Sequence, residues 1–202
     1  MRIIFATGNK GKMNEIREIM ADSVPVFSMG EAGVRVDVVE DGNSFMENSF
    51  IKARAVAKAC KEKGINDAIV LADDSGLVVD ALNGEPGIYS ARYLGEDTPY
   101  SIKNAKIIER LNGVKDEDRT ARFVCAIACV MPDGKEYSAE ATYEGAIGYE
   151  EKGEHGFGFD PIFYLPDRGV YSAELDPDEK NRISHRGKAL QLMKEILADK
   201  IQ

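Results

Sequence analysis

Ile69-Val70-Leu71-Ala72-Asp73-Asp74-Ser75-Gly76-Leu77 is the stretch that decides the fold. Four apolar residues in a row are the mark of a strand buried on both faces of a sheet, the kind that parallel sheets use. The run then breaks into Asp-Asp-Ser-Gly, which predicts a strand ending at Ala72 and a turn after it. Upstream, Ser44-Phe45-Met46-Glu47 has the form of a capping box and opens an Ala-rich helix that ends at Gly64. Before that, the alternation Val34 to Val39 predicts a strand. Arg2 to Ala6 predicts another, giving way at Thr7-Gly8-Asn9 to a helix with Met13, Ile16, Ile19 and Met20 on one face.

Downstream, Thr98-Pro99 predicts the N-cap and first position of a helix reaching about Leu111. Arg119 to Met131 and Lys135 to Ile147 read as two long strands around Pro132-Asp133-Gly134, a hairpin signal. A last helix starts near Ser184 and carries Ala189, Leu190, Met193, Ile196 and Leu197 at helical spacing. Helices and strands alternate early and a long hairpin follows. The expectation is a single α/β domain over residues 1–202, with a mixed central β-sheet and flanking helices.

Bulk properties narrow the function. The 202 residues are 44% hydrophobic and 30% charged, which excludes disorder as the overall description. No apolar run approaches the roughly 20 residues needed to cross a bilayer. The N-terminal apolar stretch of about five residues is too short for a signal-peptide core. A cytoplasmic protein with no membrane partner is expected. Twenty-six basic against 35 acidic residues give a net charge of −9. Such a surface repels phosphate backbones, so nucleic acid is not an expected partner, while a local basic pocket for one small anion remains open. Cys60, Cys125 and Cys129 cannot all pair. Cys125 and Cys129 sit in one β-like run, roughly 13 Å apart along a strand, too far for a disulfide or a shared metal. All three are expected reduced and mostly buried.

Four segments carry polar residues that a purely structural chain would not need. Thr7-Gly8-Asn9-Lys10-Gly11-Lys12 joins a strand to a helix. Its glycines let backbone approach a ligand, the helix start attracts anions, and Lys12 adds charge one turn in. It matches neither the P-loop nor the dinucleotide pattern, and an ordinary connection would look similar. Asp73-Asp74-Ser75 would sit at the C-terminal end of a buried strand, where α/β sheets place ligands. A carboxylate there either caps a turn or holds Mg²⁺ and orients water. Glu40, at the end of the preceding expected strand, could complete an acidic cluster. Gly153-Glu154-His155-Gly156-Phe157-Gly158-Phe159-Asp160-Pro161 interleaves three glycines with two aromatics, as a loop that closes over a flat ring would, though a tight surface loop would look similar. Lys180-Asn181-Arg182-Ile183-Ser184-His185-Arg186 sets dense donors ahead of a helix, suited to carbonyl or phosphate oxygens.

Taken in order and at their spacing, these segments resemble the inosine triphosphate pyrophosphatase, or Ham1, family. The resemblance runs from Thr7 to Ala189. Its pieces are Thr7-Gly8-Asn9 with Lys12 and Glu15, Asp73 to Leu77, Pro86-Gly87-Ile88-Tyr89-Ser90-Ala91-Arg92, Gly156 to Pro161, and Ile183-Ser184-His185-Arg186. It implies an elongated, two-lobed Ham1/Maf-like architecture with a central cleft, a cytosolic homodimer and Mg²⁺ dependence. It further implies hydrolysis of ITP, dITP and XTP to the monophosphate plus pyrophosphate. By position, Thr7, Gly8, Asn9, Lys10, Gly11 and Lys12 would bind the triphosphate, with Lys52 on the phosphate side. Glu40 and Asp74 would hold the metal, Asp74 also serving as base for the attacking water. Ser75 would touch substrate; Phe157, Gly158, Phe159 and Asp160 would hold the base; Lys180, His185 and Arg186 would recognise it. Phe159 departs from the family, where Tyr or Trp is common.

Two rival readings differ in class. A Maf-type pyrophosphatase acting on pyrimidine triphosphates is disfavoured by His185-Arg186 and by the Gly-Phe-Gly-Phe-Asp loop. A nucleotide sensor without catalysis is disfavoured by Asp73, Asp74 and Glu40, because binding phosphate alone rarely needs carboxylates nearby.

Overall fold

The computed structural model describes residues 1–21 and 24–200. The chain divides into two compact units. The first comprises Met1–Asp74, Cys125–Ala141 and Arg186–Gln202; the second comprises Ser75–Val124 and Thr142–His185. Among the described residues, five helices and a mixed sheet of seven strands bear out the α/β expectation.

In the first unit, strand β1 (Arg2–Phe5) leads through an exposed turn into helix α1 (Lys10–Ile19). Strand β2 (Val26–Ser28) pairs parallel with β1, and so does strand β3 (Ala68–Val79) on its other side. Helix α2 (Phe45–Glu62) begins at the N-cap Ser44, whose side chain accepts from the Glu47 N–H at 3.1 Å. Glu47 returns a bond to the Asn43 N–H at 2.7 Å, one residue earlier than the capping box requires. Strands β4 (Thr120–Val130) and β5 (Glu136–Ile147) follow, giving the order β2-β1-β3-β4-β5. Met131 and Lys135 close their turn, with Lys135 C=O accepting from Met131 N–H at 2.8 Å, so the expected hairpin stands.

Strand side chains alternate between faces, and each face of this sheet has its own helical cover. Ile3, Phe5, Ile69, Leu71, Cys125 and Ile127 pack against Met13 and Ile16 of α1 and against Leu190 and Met193 of helix α5 (His185–Leu197). Ile4, Ala6, Val70, Ala72 and Ala128 pack against Ala53, Val56 and Cys60 of α2. The small residues of the α2 stripe and of the opposing strand positions let helix and sheet approach closely. All three cysteines are free and buried, as expected.

The second unit contains β3 from Ser75 onward, β4 before Cys125, β5 after Ala141, and the short strands β6 (Phe163–Leu165) and β7 (Val170–Tyr171), in the order β3-β4-β5-β6-β7. β6 pairs antiparallel with both β5 and β7. Helix α3 (Tyr100–Arg110) and helix α4 (Pro177–Ile183) belong to it. Leu77, Val79, Ile107, Leu111, Phe123, Tyr143, Phe159 and Phe163 form its core.

Four expectations are corrected. Val34–Val39 alternates in burial but joins no ladder; the two edges of β1 are taken by β2 and β3. β3 does not stop at Ala72: it runs through Asp-Asp-Ser-Gly to Val79, since pairing with the long neighbour β4 outweighs the turn preference of those residues. The N-cap of α3 is Pro99 and not Thr98, whose hydroxyl donates to the Leu94 carbonyl at 2.7 Å. Ser184 ends α4 as well as preceding α5, so Lys180 to Ile183 are themselves helical.

Candidate active site

The corrected course of β3 is what builds the site. β1 pairs with β3 only as far as Phe5 opposite Leu71, so Asp73 and Asp74 lie beyond the carboxyl end of β1 although they are interior to β3. As consecutive strand residues they point to opposite faces. Asp73 falls on the side of α1 and α5, and Asp74 on the side of α2. The two carboxylates therefore meet different partners.

The Asp73 side chain is fully buried. The Lys12 ammonium of α1 lies 2.9 Å from its Oδ2, and the Arg186 guanidinium of α5 lies 3.3 Å from the same oxygen. Arg186, itself 3% exposed, is also paired with Glu15, one turn along α1 from Lys12. Burial alone would raise the Asp73 pKa, but Lys12, Arg186 and Lys52 together outweigh it and hold the carboxyl well below the ordinary range.

Asp74 accepts from the Asn48 side-chain amide at 3.1 Å, and its Oδ1 is 4.0 Å from the Lys52 ammonium. Lys52 also donates to Glu40 at 2.9 Å. Burial is the largest influence on Asp74 and wins over Lys52, Lys12 and Asn48, with Glu40 adding repulsion, so its pKa is raised. Asn48 is 1% exposed and accepts from the Gly42 N–H at 2.9 Å, which ties the loop after Glu40 to Asp74. Among the described residues, no three His, Cys, Asp or Glu side chains are grouped to hold a metal, so the expected cluster of Asp73, Asp74 and Glu40 does not form. The strand alternation that separates Asp73 from Asp74 is the reason. Glu40 does not end a strand, because the Val34–Val39 segment is not one.

The Thr7–Lys12 segment connects β1 to α1 as expected. Thr7 Oγ1 accepts from Asn9 N–H at 3.1 Å, and the N-cap Asn9 accepts from Lys12 N–H at 3.1 Å. Gly8, Asn9 and Lys10 are exposed, and no atom lies within 4 Å of where a Cβ on Gly8 would stand. The turn thus offers bare backbone at a helix start. Cys125, on the Asp73 face, is pushed up to about 12 by burial first and by the Asp73 charge second, which makes it no nucleophile.

The second unit holds the remaining predicted residues. Lys180 and Asp160 pair at 2.7 Å, each side chain 5% exposed. Asp160 accepts further bonds from Ser172 Oγ at 3.0 Å and from Phe157 N–H at 2.9 Å. The Lys180 ammonium stands 5.3 Å from the centre of the half-buried Phe157 ring. Gly156 has φ +75°, and a Cβ there would come 2.3 Å from Asp160 Oδ2, so only glycine fits. Phe159 is 3% exposed and lies in the core with Tyr100 edge-on at 5.2 Å. Of the two rings, Phe157 is the one that is not buried. His185 stacks on Phe123 at 4.9 Å and 13°. Ser75 is half-buried on β3.

Asn48 and helix α4 escaped the sequence reading. Asn48 stands four residues before the predicted Lys52 on α2, and that spacing, which puts both on one helical face, was a usable signal. Helix α4 was announced by Asp176-Pro177, an N-cap and first-position pair: Asp176 accepts from Asp178 N–H at 2.9 Å.

Known proteins resemble this chain over nearly its whole length. The Ham1 family profile matches residues 3–196. A dITP/XTP pyrophosphatase of Clostridium perfringens is 48% identical over 197 residues, 97% of each chain. One of Bacillus subtilis is 44% identical over 96% of each chain. Among solved structures, a HAM1 protein from Coxiella burnetii has a TM-score of 0.86 at 39% identity, covering 98% of this chain and 99% of that one. The Staphylococcus aureus Ham1 protein has a TM-score of 0.86 at 40% identity, covering 99% and 100%. With the family pattern matched over almost the whole chain and its charged residues gathered around β3, the chain belongs to the Ham1 family.

Proposed function

We propose that this protein hydrolyses the deaminated purine nucleoside triphosphates ITP, dITP and XTP to the monophosphate and pyrophosphate, clearing them from the nucleotide pool. The observation that carries the reading is the opposed surroundings of two neighbouring carboxylates, Asp73 between Lys12 and Arg186 and Asp74 beside Asn48 and Lys52. Environments that drive such a pair apart assign their roles. Asp73 stays ionised and fixes Lys12 and Arg186 in place. Asp74, with its pKa raised, is the group suited to take a proton from water. As that proton passes to Asp74, the water oxygen bonds to the α-phosphorus, the α–β bridging bond breaks, and pyrophosphate leaves with the bond electrons.

Thr7 to Lys12 and Lys52 would cradle the triphosphate with backbone N–H groups and ammonium charge. Mg²⁺ fits the remaining donors: Glu40 and Asp74 already share one cation, Lys52, and hard carboxylate oxygens suit this ion. When bound, Mg²⁺ supplies charge neutralisation at the phosphates and at the leaving group. On the base side, Phe157 would stack, Gly158, Phe159 and Asp160 would shape the loop, and Ser75 would contact substrate. Lys180, His185 and Arg186 would donate to the 6-oxo group that hypoxanthine and xanthine carry and adenine lacks. A homodimer in the cytoplasm belongs to the same proposal; no described helix is long and apolar enough to cross a membrane.

A panel of nucleoside triphosphates, assayed with Mg²⁺ for pyrophosphate against orthophosphate, tests this. ITP, dITP and XTP should exceed GTP and ATP in kcat/KM, with pyrophosphate as product. Orthophosphate release, or a preference for ATP or pyrimidine triphosphates, would overturn it.

A further inference from the structure

Helix α3 is hydrogen-bonded to the Glu151–Gly158 segment through the Asn104 side chain. Asn104 is 1% exposed, and its Nδ2 donates to Glu151 Oε1 at 2.6 Å and to the Gly158 carbonyl at 3.3 Å. Those two acceptors stand at the two ends of the segment that carries Phe157. One NH₂ group thus closes the loop on itself. The cost is visible in the same residue: Asn104 Oδ1 is buried without a hydrogen-bond partner, a condition that native structures tolerate rarely. Turning the amide over would satisfy nothing, because Oδ1 would then face a carboxylate and a carbonyl. Only a group with two donors on one atom serves both ends.

The surroundings reinforce the closure. Tyr100, one turn earlier on α3, lies edge-on to Phe159, and its ring sits 3.5 Å from the position a Cβ on Gly158 would take. Inside the loop, His155 N–H donates to the Ala173 carbonyl and Lys152 N–H to the Pro161 carbonyl, both at 2.9 Å.

We propose that Asn104 is a positioning residue for purine selectivity. Its amide staples Glu151 to Gly158 and so sets the distance between the Phe157 ring and the Lys180–Asp160 pair. This rests on the proposed function, with Phe157 and Lys180 reading the base. Rigid placement is what lets a site reject a ring that differs by one substituent, since a loosened loop adapts to the wrong base.

The test compares Asn104→Ala, Asn104→Asp, Glu151→Ala and Glu151→Gln with the wild type. Each is assayed for kcat and KM on ITP and GTP, for binding of inorganic tripolyphosphate, and for Tm. Asn104→Ala and Asn104→Asp should raise KM for ITP about tenfold, the worth of one charge-assisted hydrogen bond. They should narrow the ITP-to-GTP ratio of kcat/KM, with kcat changed less and tripolyphosphate affinity unchanged. Glu151→Ala should give part of the effect. Glu151→Gln, whose amide oxygen still accepts, should restore the wild-type ratio. If Asn104→Ala fails to fold, the Glu151 pair decides by itself. An unaltered ITP-to-GTP ratio in Asn104→Asp and Glu151→Ala, or equal losses in tripolyphosphate binding, would overturn the inference. Failure of the wild type to hydrolyse ITP would instead overturn the proposed function.

Discussion

Asparagine substituted separately at Asp73 and at Asp74 should move stability in opposite senses, although the two residues are neighbours. Asn has the shape of Asp without the charge, so the comparison isolates electrostatics. At Asp73 the charge is clamped by Lys12 at 2.9 Å and Arg186 at 3.3 Å, and removing it strands two cations beside a neutral amide. Breaking a buried pair from one side costs about 3–5 kcal/mol. For a chain of this size that is a fall in Tm of about 6–20 °C. At Asp74 burial already disfavours the charge. The Asn48 amide retains an acceptor in Asp74→Asn, so Tm should be unchanged or slightly raised. Activity should nonetheless fall by about 10²–10⁴, the contribution of a general base.

The pH dependence has opposite signs as well. The Asp73 pKa is depressed by folding, so its contribution is complete above the unfolded value of about 3.9 and disappears as pH falls through the lower folded value. The Asp74 pKa is raised. Its penalty sets in as pH climbs past about 3.9 and is complete above the higher folded value. Thermal unfolding in chelator reads Asp73 below about pH 4 and Asp74 above it, and Asp74→Asn should remove the loss of stability on the rising side. Equal Tm losses in the two variants would refute the reasoning that strand alternation gives the neighbours opposed settings.

Lys12→Ala should raise KM for triphosphates while affecting monophosphate binding much less, measured by steady-state kinetics and by inhibition with IMP; it should also lower Tm, because Asp73 loses its nearest cation. Phe157→Ala should weaken all purine substrates together, by about 1–3 kcal/mol, since stacking does not read ring substituents; a change confined to ITP in a substrate panel would contradict this. Gly156→Ala should destabilise the loop, because the new methyl would collide with Asp160 Oδ2 and φ is positive; the loss should appear as lower Tm and as higher KM for ITP with tripolyphosphate binding intact.

Much of this was legible in the sequence because it is local. The apolar run Ile69–Ala72, the Ser44 cap, the hairpin around Pro132-Asp133-Gly134 and the strand-to-helix turn at Thr7–Asn9 depend on residues within a few positions of one another. So does the clustering of polar residues in four segments, which pointed to nucleotide chemistry before any contact was known. What the tertiary structure decided is pairing at long range. Val26–Ser28 pairs with β1 and Val34–Val39 pairs with no strand, a choice made by long-range partners and not by local pattern. β3 continues through Asp73 and Asp74 because β4 lies beside it. Asp73 and Arg186 are 113 residues apart, Asn104 and Gly158 are 54 apart, and no periodicity connects them. A sequence states which groups can ionise or donate. Which charges they face follows from the side of the sheet each falls on, and that alternation set one of the two neighbouring carboxylates against Lys12 and Arg186 and the other against Asn48 and Lys52.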